Sequence, residues 1–425
     1  MSVHVGIDFG TTNTALALAG DDGAVALADL PGVDGGMSKT WRTVLHFDSD
    51  GAPMAGAPAI GRYVRAGGQG RLVQSIKSHL ASASFSRTMI GGRFWTLESL
   101  VATFVADLRR AAGRTLPNRA VVGRPVRYVG AESDADNARA VDRMRVALAM
   151  AGFSQVVFEF EPIAAALSYA ERLDHEELIL VADFGGGTSD FSLLRVGPHL
   201  PPGDSRAILA TGGVGLGGDS FDARIIDALV APALGRDTTY RDTFGASTPV
   251  PHWLFLRLRR WHHLSFLKEA STLELLDHIQ HGSSHPERIA RLVSLVEDDL
   301  GLPLHQAVEA CKVELSSKPN ATLTQVDLTL QAPVTRASFE KWVAPELASI
   351  DGVVTDVLAR AGLDANDVDT VFATGGSALV PAVRARLAAR FGERKLAGGE
   401  ELTSVAWGLA ARARQVFGGS SQSRG

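Results

Sequence analysis

"VGIDFGTTNTALAL", residues 5–18, and "LVADFGGGTSDFSLL", residues 180–194, are one phrase written twice. Each is an apolar run, then Asp-Phe-Gly, then small or hydroxyl residues, then a second apolar run. Val3, Val5 and Ile7 alternate as a strand does, Gly10 supplies a turn, and residues 15–18 resume a strand. In the second copy residues 178–181 form the strand and Asp183 ends it. Gly185, Gly186 and Gly187 turn the chain, and residues 191–196 return. Both copies are expected to be β-hairpins with an aspartate at the end of the first strand. Glycine lets backbone N–H groups close on a ligand, and the hydroxyls of Thr11, Thr12 and Thr188 add donors. A carboxylate beside such a turn suits a phosphate only with a cation between them. Mg²⁺ fits, because it prefers oxygen ligands and keeps several waters. Two such hairpins facing each other would hold a nucleotide's phosphates and metal between two lobes. Internal duplication of one ancestral half explains the repeat.

Further turns extend this pattern. "VDTVFATGGSALVPAVRARLAARF", residues 368–391, reads as a strand, a turn at Gly375, Gly376 and Ser377, and a helix. A glycine-rich helix entry favours an anion. "TGGVGLGGDSFDARII" places Gly217 and Gly218 before another helix, either against a ribose or phosphate or as an ordinary helix-start loop. In "VVFEFEPIAAALSYAERL" a strand ends at Glu161, Pro162 suits the first helical turn, and Ala164, Ala165 and Ala166 permit close packing. Glu161 faces the expected metal, or serves the helix dipole.

Composition bounds the function. The chain has 425 residues, 45% hydrophobic and 21% charged, with a formal charge of −5. That length predicts two to four domains, and the negative charge argues against a general nucleic-acid binder. The one cysteine, Cys311, excludes an internal disulfide and fits a reducing compartment. No basic n-region and apolar h-region precede the first strand, and no apolar run reaches the ~18 residues of a membrane span. These features lead us to expect a cytoplasmic protein with no membrane partner.

The set "GIDFGTTNT", "FEPIAAALSYA", "VADFGGGTSDFSLL", "GVGLGGDSFD" and "ATGGSALVPAV", in this order and spacing, resembles the nucleotide-binding domain of the heat-shock protein 70 (DnaK-like) family. The likeness runs from residue 3 to about 417, and short bacterial chaperone-like proteins of the YegD type resemble the chain most. It implies an α/β, actin/hexokinase-like ATPase fold: two duplicated ribonuclease-H-like lobes around a nucleotide cleft. It further implies ATP or ADP with Mg²⁺, slow hydrolysis, and a nucleotide-driven switch that reports to an unknown protein partner or client.

Site roles follow residue by residue from the resemblance. Asp8 and Asp183 would hold Mg²⁺ through waters. Gly10, Thr11, Thr12, Asn13, Gly185, Gly186, Gly187 and Thr188 would cradle the phosphates. Glu161 would orient the metal's water shell. "QSIKSHL" is similar to the segment carrying the family's essential lysine, so Lys77 would sit beside the γ-phosphate. Asp190 would orient the attacking water or accept its proton. "EACKVELSSK" is similar to the helix along the nucleoside, which places Glu309, Lys312 and Ser316 near ribose and adenine. Gly217 and Gly218 would lie against the ribose or a phosphate, and Gly375, Gly376 and Ser377 would close the adenosine pocket.

The chain departs from the family at several points. Val313 and Leu379 stand where two arginines usually sandwich the adenine, and Asn13 replaces a common tyrosine. The final helix, "LTSVAWGLAARARQVF", is followed only by "GGSSQSRG", so a linker and peptide-binding domain are not expected. Residues 229–305 form a distinctive insertion, aromatic, basic and helix-patterned in "PHWLFLRLRRWHHLSFLKEASTLELLDHI". It reads as the core of an enlarged subdomain, with Arg257, Arg259 and Arg260 on a solvated helix face. The spacing of His278, His281 and His285 resembles metal ligands, but no cysteine or paired carboxylate completes a site.

The expected organisation is lobe I at 1–180, with a small subdomain near 30–118 that carries the amphipathic helix "LESLVATFVADLRRAAG". Lobe II covers 181–395 and includes the insertion. A terminal helix at 396–417 packs back on lobe I, and 418–425 are a flexible tail. The same fold admits a sugar-type kinase or an actin-like filament protein. The chain shows no separate sugar-binding constellation, and the insertion is expected to obstruct filament stacking.

Overall fold

Both quoted stretches fold as antiparallel hairpins in the computed structural model, which describes residues 2–32, 35–170, 173–197, 207–260, 264, 267–397 and 403–418. Val3–Phe9 pairs with Asn13–Gly20, and Glu177–Phe184 pairs with Ser189–Val196. Each hairpin seeds a larger sheet. The first runs Gln155–Phe160, Arg119–Arg124, Val3–Phe9, Asn13–Gly20, Val25–Leu27, with the short Trp41–Arg42 strand also on Asn13–Gly20. The second runs Ile208–Val214, Ser189–Val196, Glu177–Phe184, Thr370–Thr374, Leu396–Ala397.

With the short Trp41–Arg42 strand set aside and the rest numbered by appearance within each sheet, both have the order 3-2-1-4-5. In both, the first three strands are antiparallel and strands 1, 4 and 5 are parallel. The repeated phrase is therefore the first hairpin of a repeated sheet.

Parallel strands buried on both faces must be apolar throughout. Ala120 and Val122 of Arg119–Arg124 belong to a core shared with helices Leu97–Ala111 and Asp134–Met150, whereas Val121 packs with Ala164, Ala165 and Leu409. Leu97–Ala111 is amphipathic as expected: Leu100, Val101, Phe104, Val105 and Leu108 are buried. Thr96 caps it, accepting the Ser99 N–H at 3.1 Å. A Ser133–Asp136 capping box starts Asp134–Met150.

The alanines after Glu161 do what their size suggests. Helix Glu161–Ala170 meets the terminal helix Ser404–Gly418 where a Cβ on Gly408 would strike the Ala164 carbonyl. On the strand beneath, a Cβ on Gly6 would strike the Ala410 backbone.

The chain divides into two compact units: the described residues of Met1–Gly215, Gly352–Ala378 and Ala385–Gly425, and those of Leu216–Asp351 and Leu379–Arg384. Both five-strand patterns lie in the first unit. In the second, the stretch from Pro251 is not one continuous helix. It forms helix His252–Leu256, a 3₁₀ turn Arg257–Arg259, and helix Ala270–Gly282; residues 261–263 and 265–266 lie outside the described residues, as does most of the expected tail. Leu254, Phe255, Leu258, Leu276 and Ile279 are buried, so the stretch does supply core. Arg257, Arg259 and Arg260 are exposed, and Arg259 pairs with Asp227 at 2.8 Å. His278 packs edge-on against Tyr240, His281 lies on the Asp277 carbonyl and His285 faces Glu287. Among the described residues no three His, Cys, Asp or Glu gather as direct metal ligands. Nor is any helix there long and apolar enough to cross a membrane.

Candidate functional site

Asp8 and Asp183 occupy the same place, next to last in the first strand of each sheet. Their surroundings differ. Asp8 lies opposite Ala15, whereas Asp183 lies opposite Asp190. Thr374, at the end of the neighbouring parallel strand, donates its Oγ1 to Asp183 Oδ1 at 3.0 Å. Thr188 Oγ1 donates to Asp190 Oδ2 at 2.8 Å. The second turn closes through Gly185 N–H to the Thr188 carbonyl (2.9 Å), and Ser377 Oγ donates to the Gly185 carbonyl (3.2 Å). Gly375 has φ +83°, and a Cβ there would hit the Phe184 carbonyl and Asp183, so only glycine serves.

Glu161 stands where strand Gln155–Phe160 becomes helix, in the first turn, where a carboxylate is favoured. Lys77 comes from a separate segment, the 3₁₀ turn Ile76–His79, entered through left-handed Ser75 at φ 55°. Its Nζ donates to Glu161 Oε1 at 2.7 Å, with the two side chains only 11% and 14% exposed. Two arginines of Asp134–Met150 anchor the chain that follows. Arg143 donates to the carbonyls of Leu80 and Ser82, both at 2.8 Å, and Arg139 to that of Ala81 at 2.9 Å.

Asp8, Lys77, Glu161, Asp183 and Asp190 thus form one electrostatic cluster. Burial, then Glu161, pushes the Asp8 carboxyl up to about 7 despite the opposing Lys77. Burial and Glu161 also raise Asp183 against its Thr374 bond. Asp190 presents surface to solvent, yet the protein around it raises its carboxyl to about 7, with Asp183 and Glu161 adding to the shift. Burial works against the Lys77 ammonium, but Glu161 and Asp8 outweigh it and hold it above the ordinary lysine range. Four carboxylates thus gather around Lys77, with Arg124 also within reach of Glu161.

The turns supply the other half of a phosphate site. A Cβ on Gly10 would collide with the Asn13 carbonyl, so the chain itself requires that glycine. A Cβ on Gly187 would meet nothing within 4 Å, so packing does not require it and the space beside the turn is open. Thr11 and Thr12 are partly exposed, and their hydroxyls bond to no described residue, while Asn13 is exposed. Carboxylate and hydroxyl oxygens are the donors Mg²⁺ prefers, so the residue types present fit Mg²⁺ with a polyphosphate.

The expected nucleoside residues lie in the second unit. Gly217 and Gly218 start helix Gly218–Ile225, and Glu309, Lys312 and Ser316 lie on Gly301–Ser317. Lys312 is held by Asp222 (2.9 Å) and the Gly218 carbonyl (3.3 Å), and Ser316 Oγ donates to the Lys312 carbonyl (3.2 Å). Burial pushes Asp222 up to about 6 against the pull of Lys312. Val313 and Leu379, 61% and 51% exposed, present apolar surface. Gly375, Gly376 and Ser377 belong to the first unit.

Sequence reasoning missed Thr374, Arg124, Tyr128, Arg139 and Arg143. Thr374 carried a usable signal, because it directly precedes Gly375-Gly376 at a strand end. The arginines carried none, being ordinary helix and strand residues until the strands are placed.

A repeated 3-2-1-4-5 sheet with paired aspartate hairpins defines the actin/hexokinase-like ATPase fold. The family model described as Hsp70 protein matches residues 73–237 and 290–424, and the chain belongs to the Hsp70 family. Residues 238–289, most of the distinctive insertion, fall outside that match. The chain is 27% identical over 427 residues to the "Chaperone protein DnaK" of Thermosipho africanus, and equally to that of Thermosipho melanesiensis. Each alignment covers 97% of this chain and 59% of the relative, so the chain spans little more than half the length of these proteins.

Proposed function

We propose that this chain binds ATP with Mg²⁺ and hydrolyses it slowly, as a nucleotide-driven switch of the Hsp70 kind. One observation carries the reading: Asp8, Lys77, Glu161, Asp183 and Asp190 meet at the ends of equivalent strands in two sheets of one topology. Membership of the Hsp70 family supports it.

Phosphoryl transfer to water needs positioning and charge stabilisation more than covalent chemistry. Asp8 and Asp183 would hold Mg²⁺ through its waters, and the ion would offset phosphate charge when bound. Backbone N–H groups at Gly10–Asn13 and Gly185–Thr188 would fix the phosphates, with the Thr11 and Thr12 hydroxyls adding donors. Lys77 would leave Glu161 to meet the terminal phosphate. Asp190 would orient the attacking water and take its proton; a carboxyl near 7 suits a base at neutral pH. Thr188, which donates to Asp190, fixes which oxygen stays free. The switch would act in a reducing compartment, the cytoplasm, on a protein partner. Peptide capture is no part of the proposal.

Phosphate release from ATP by the purified chain tests this reading. Release that needs Mg²⁺ supports it. ATP that is bound but never cleaved would remove the hydrolysis and leave a nucleotide-responsive scaffold.

A further inference from the structure

Behind the Lys77–Glu161 pair stand two donors with nothing to donate to. Arg124 ends strand Arg119–Arg124, in register with Phe160, the residue before Glu161. Its guanidinium lies 4.2 Å from the Phe160 ring centroid, a cation–π contact that fixes its plane. It makes no hydrogen bond or ion pair with any described residue, although Glu159 and Glu161 both lie within its electrostatic reach. Glu159 is already committed to Arg412 at 3.2 Å.

Four residues on, Tyr128 is 2% exposed, and its buried hydroxyl has no partner. Lys77, Glu161 and Arg124 are the charges around it. Its loop is pinned from helix Asp134–Met150: Asn137 accepts the Tyr128 N–H at 3.0 Å and donates to the Val126 carbonyl at 3.2 Å. A pinned, buried, unpaired hydroxyl is costly and needs an explanation.

The proposed reaction supplies one. In that reading Lys77 leaves Glu161 to meet the terminal phosphate. Once it leaves, a carboxylate that is only 14% exposed loses its ion pair, and an uncompensated buried charge is strongly unfavourable. We propose that Arg124 and Tyr128 are positioning residues that take over Glu161 when Lys77 moves to the terminal phosphate, an exchange of partners that lets ATP, and not ADP, draw the lysine away. This rests on the reading of Lys77 as a phosphate ligand. Arg124 and Tyr128 need not touch the nucleotide; they lower the cost of releasing Lys77. The exchange moves no covalent bond.

The test is the dissociation constant of Mg-ATP and of Mg-ADP for wild type, Arg124→Gln, Tyr128→Phe, Glu161→Gln and the Arg124→Gln/Glu161→Gln double variant. Arg124→Gln and Tyr128→Phe should each weaken Mg-ATP by about tenfold and Mg-ADP by less than about twofold. With a neutral amide at 161 no carboxylate waits for a partner, so Arg124→Gln should then cost ATP less than about twofold. Tyr128→Phe removes an unpaired hydroxyl and keeps the ring, so its melting temperature should equal or exceed that of wild type. Equal losses for both nucleotides, or an ATP loss that persists beside Glu161→Gln, would overturn the exchange and leave the ATPase reading standing. A wild type that binds neither nucleotide would defeat both.

Discussion

The two hairpins share a topology and divide the labour. In the first, Gly10 is demanded by the chain's own Asn13 carbonyl, and Asp8 faces Ala15. In the second, a Cβ on the equivalent Gly185 would lie 3.4 Å from the Thr188 carbonyl, one on Gly187 would meet nothing within 4 Å, and Asp183 faces Asp190, a like charge that destabilises a ladder. Strand 4 of each sheet repeats the contrast. Thr374 donates to Asp183, whereas the corresponding Gly123, one step past the last paired residues, leaves room for Glu161; a Cβ there would lie 3.1 Å from Glu161 Cγ. The two hairpins thus share a frame, and the second carries a like-charge pair that the first lacks.

Asp190→Asn breaks the contrast most sharply. It should cut ATP turnover by about 100-fold or more, the usual scale for losing a general base. It should also raise the melting temperature of the nucleotide-free chain at pH 8. A carboxyl whose folded pKa is raised disfavours the folded state once it ionises, and the amide never ionises. Lower turnover with no gain in melting temperature would contradict the electrostatic account of this hairpin.

A glycine pair comes next. Gly10→Ala should destabilise the chain by roughly 1–3 kcal/mol, because its Cβ meets backbone. Gly187→Ala should leave urea stability within about 0.5 kcal/mol and weaken Mg-ATP about tenfold. Equal stability losses at both positions would erase the distinction between the two turns.

Thr374→Val sharpens the comparison on a smaller scale. It removes the Asp183 hydrogen bond, worth about 1 kcal/mol, with no counterpart to lose at Gly123. Urea titration of the variant reads it directly.

The second unit provides a test independent of both hairpins. Burial holds the His305 imidazole down to about 4, against its bond to the Leu258 carbonyl at 2.8 Å. The unfolded chain takes a proton near pH 6.5 that the folded chain refuses until about pH 4. Stability from this site is therefore present above pH 6.5 and lost as the pH falls toward 4. His305→Gln should flatten that part of the stability–pH curve without changing nucleotide affinity at pH 7.5.

The hairpins were legible because their signals are local: glycine, hydroxyl and aspartate within a few residues of a strand end. The repeated sheet was legible only as an expectation, because the place of Arg119–Arg124 and Thr370–Thr374 beside their hairpins is set by packing across more than a hundred residues. Lys77 was found by resemblance; its bond to Glu161 spans 84 residues and leaves no local mark. Arg124 and Tyr128 look like ordinary strand and loop residues until Phe160 and Lys77 are placed beside them. The 251–279 stretch was legible as helix-patterned core, and its described residues form two helices and a 3₁₀ turn. Leu254, Phe255, Leu258, Leu276 and Ile279 are buried, whereas Trp253 and Leu256 are 43% and 42% exposed, and the 3₁₀ turn at Arg257–Arg259 carries Leu258 into the core.

The most direct test is single-turnover hydrolysis of saturating Mg-ATP by the wild type, Asp183→Asn and Lys77→Ala. Slow hydrolysis by the wild type, reduced about 100-fold or more in both variants, is the predicted result. Undiminished hydrolysis in Asp183→Asn, or none in the wild type with ATP bound, would contradict the assignment of this cluster as an ATPase centre.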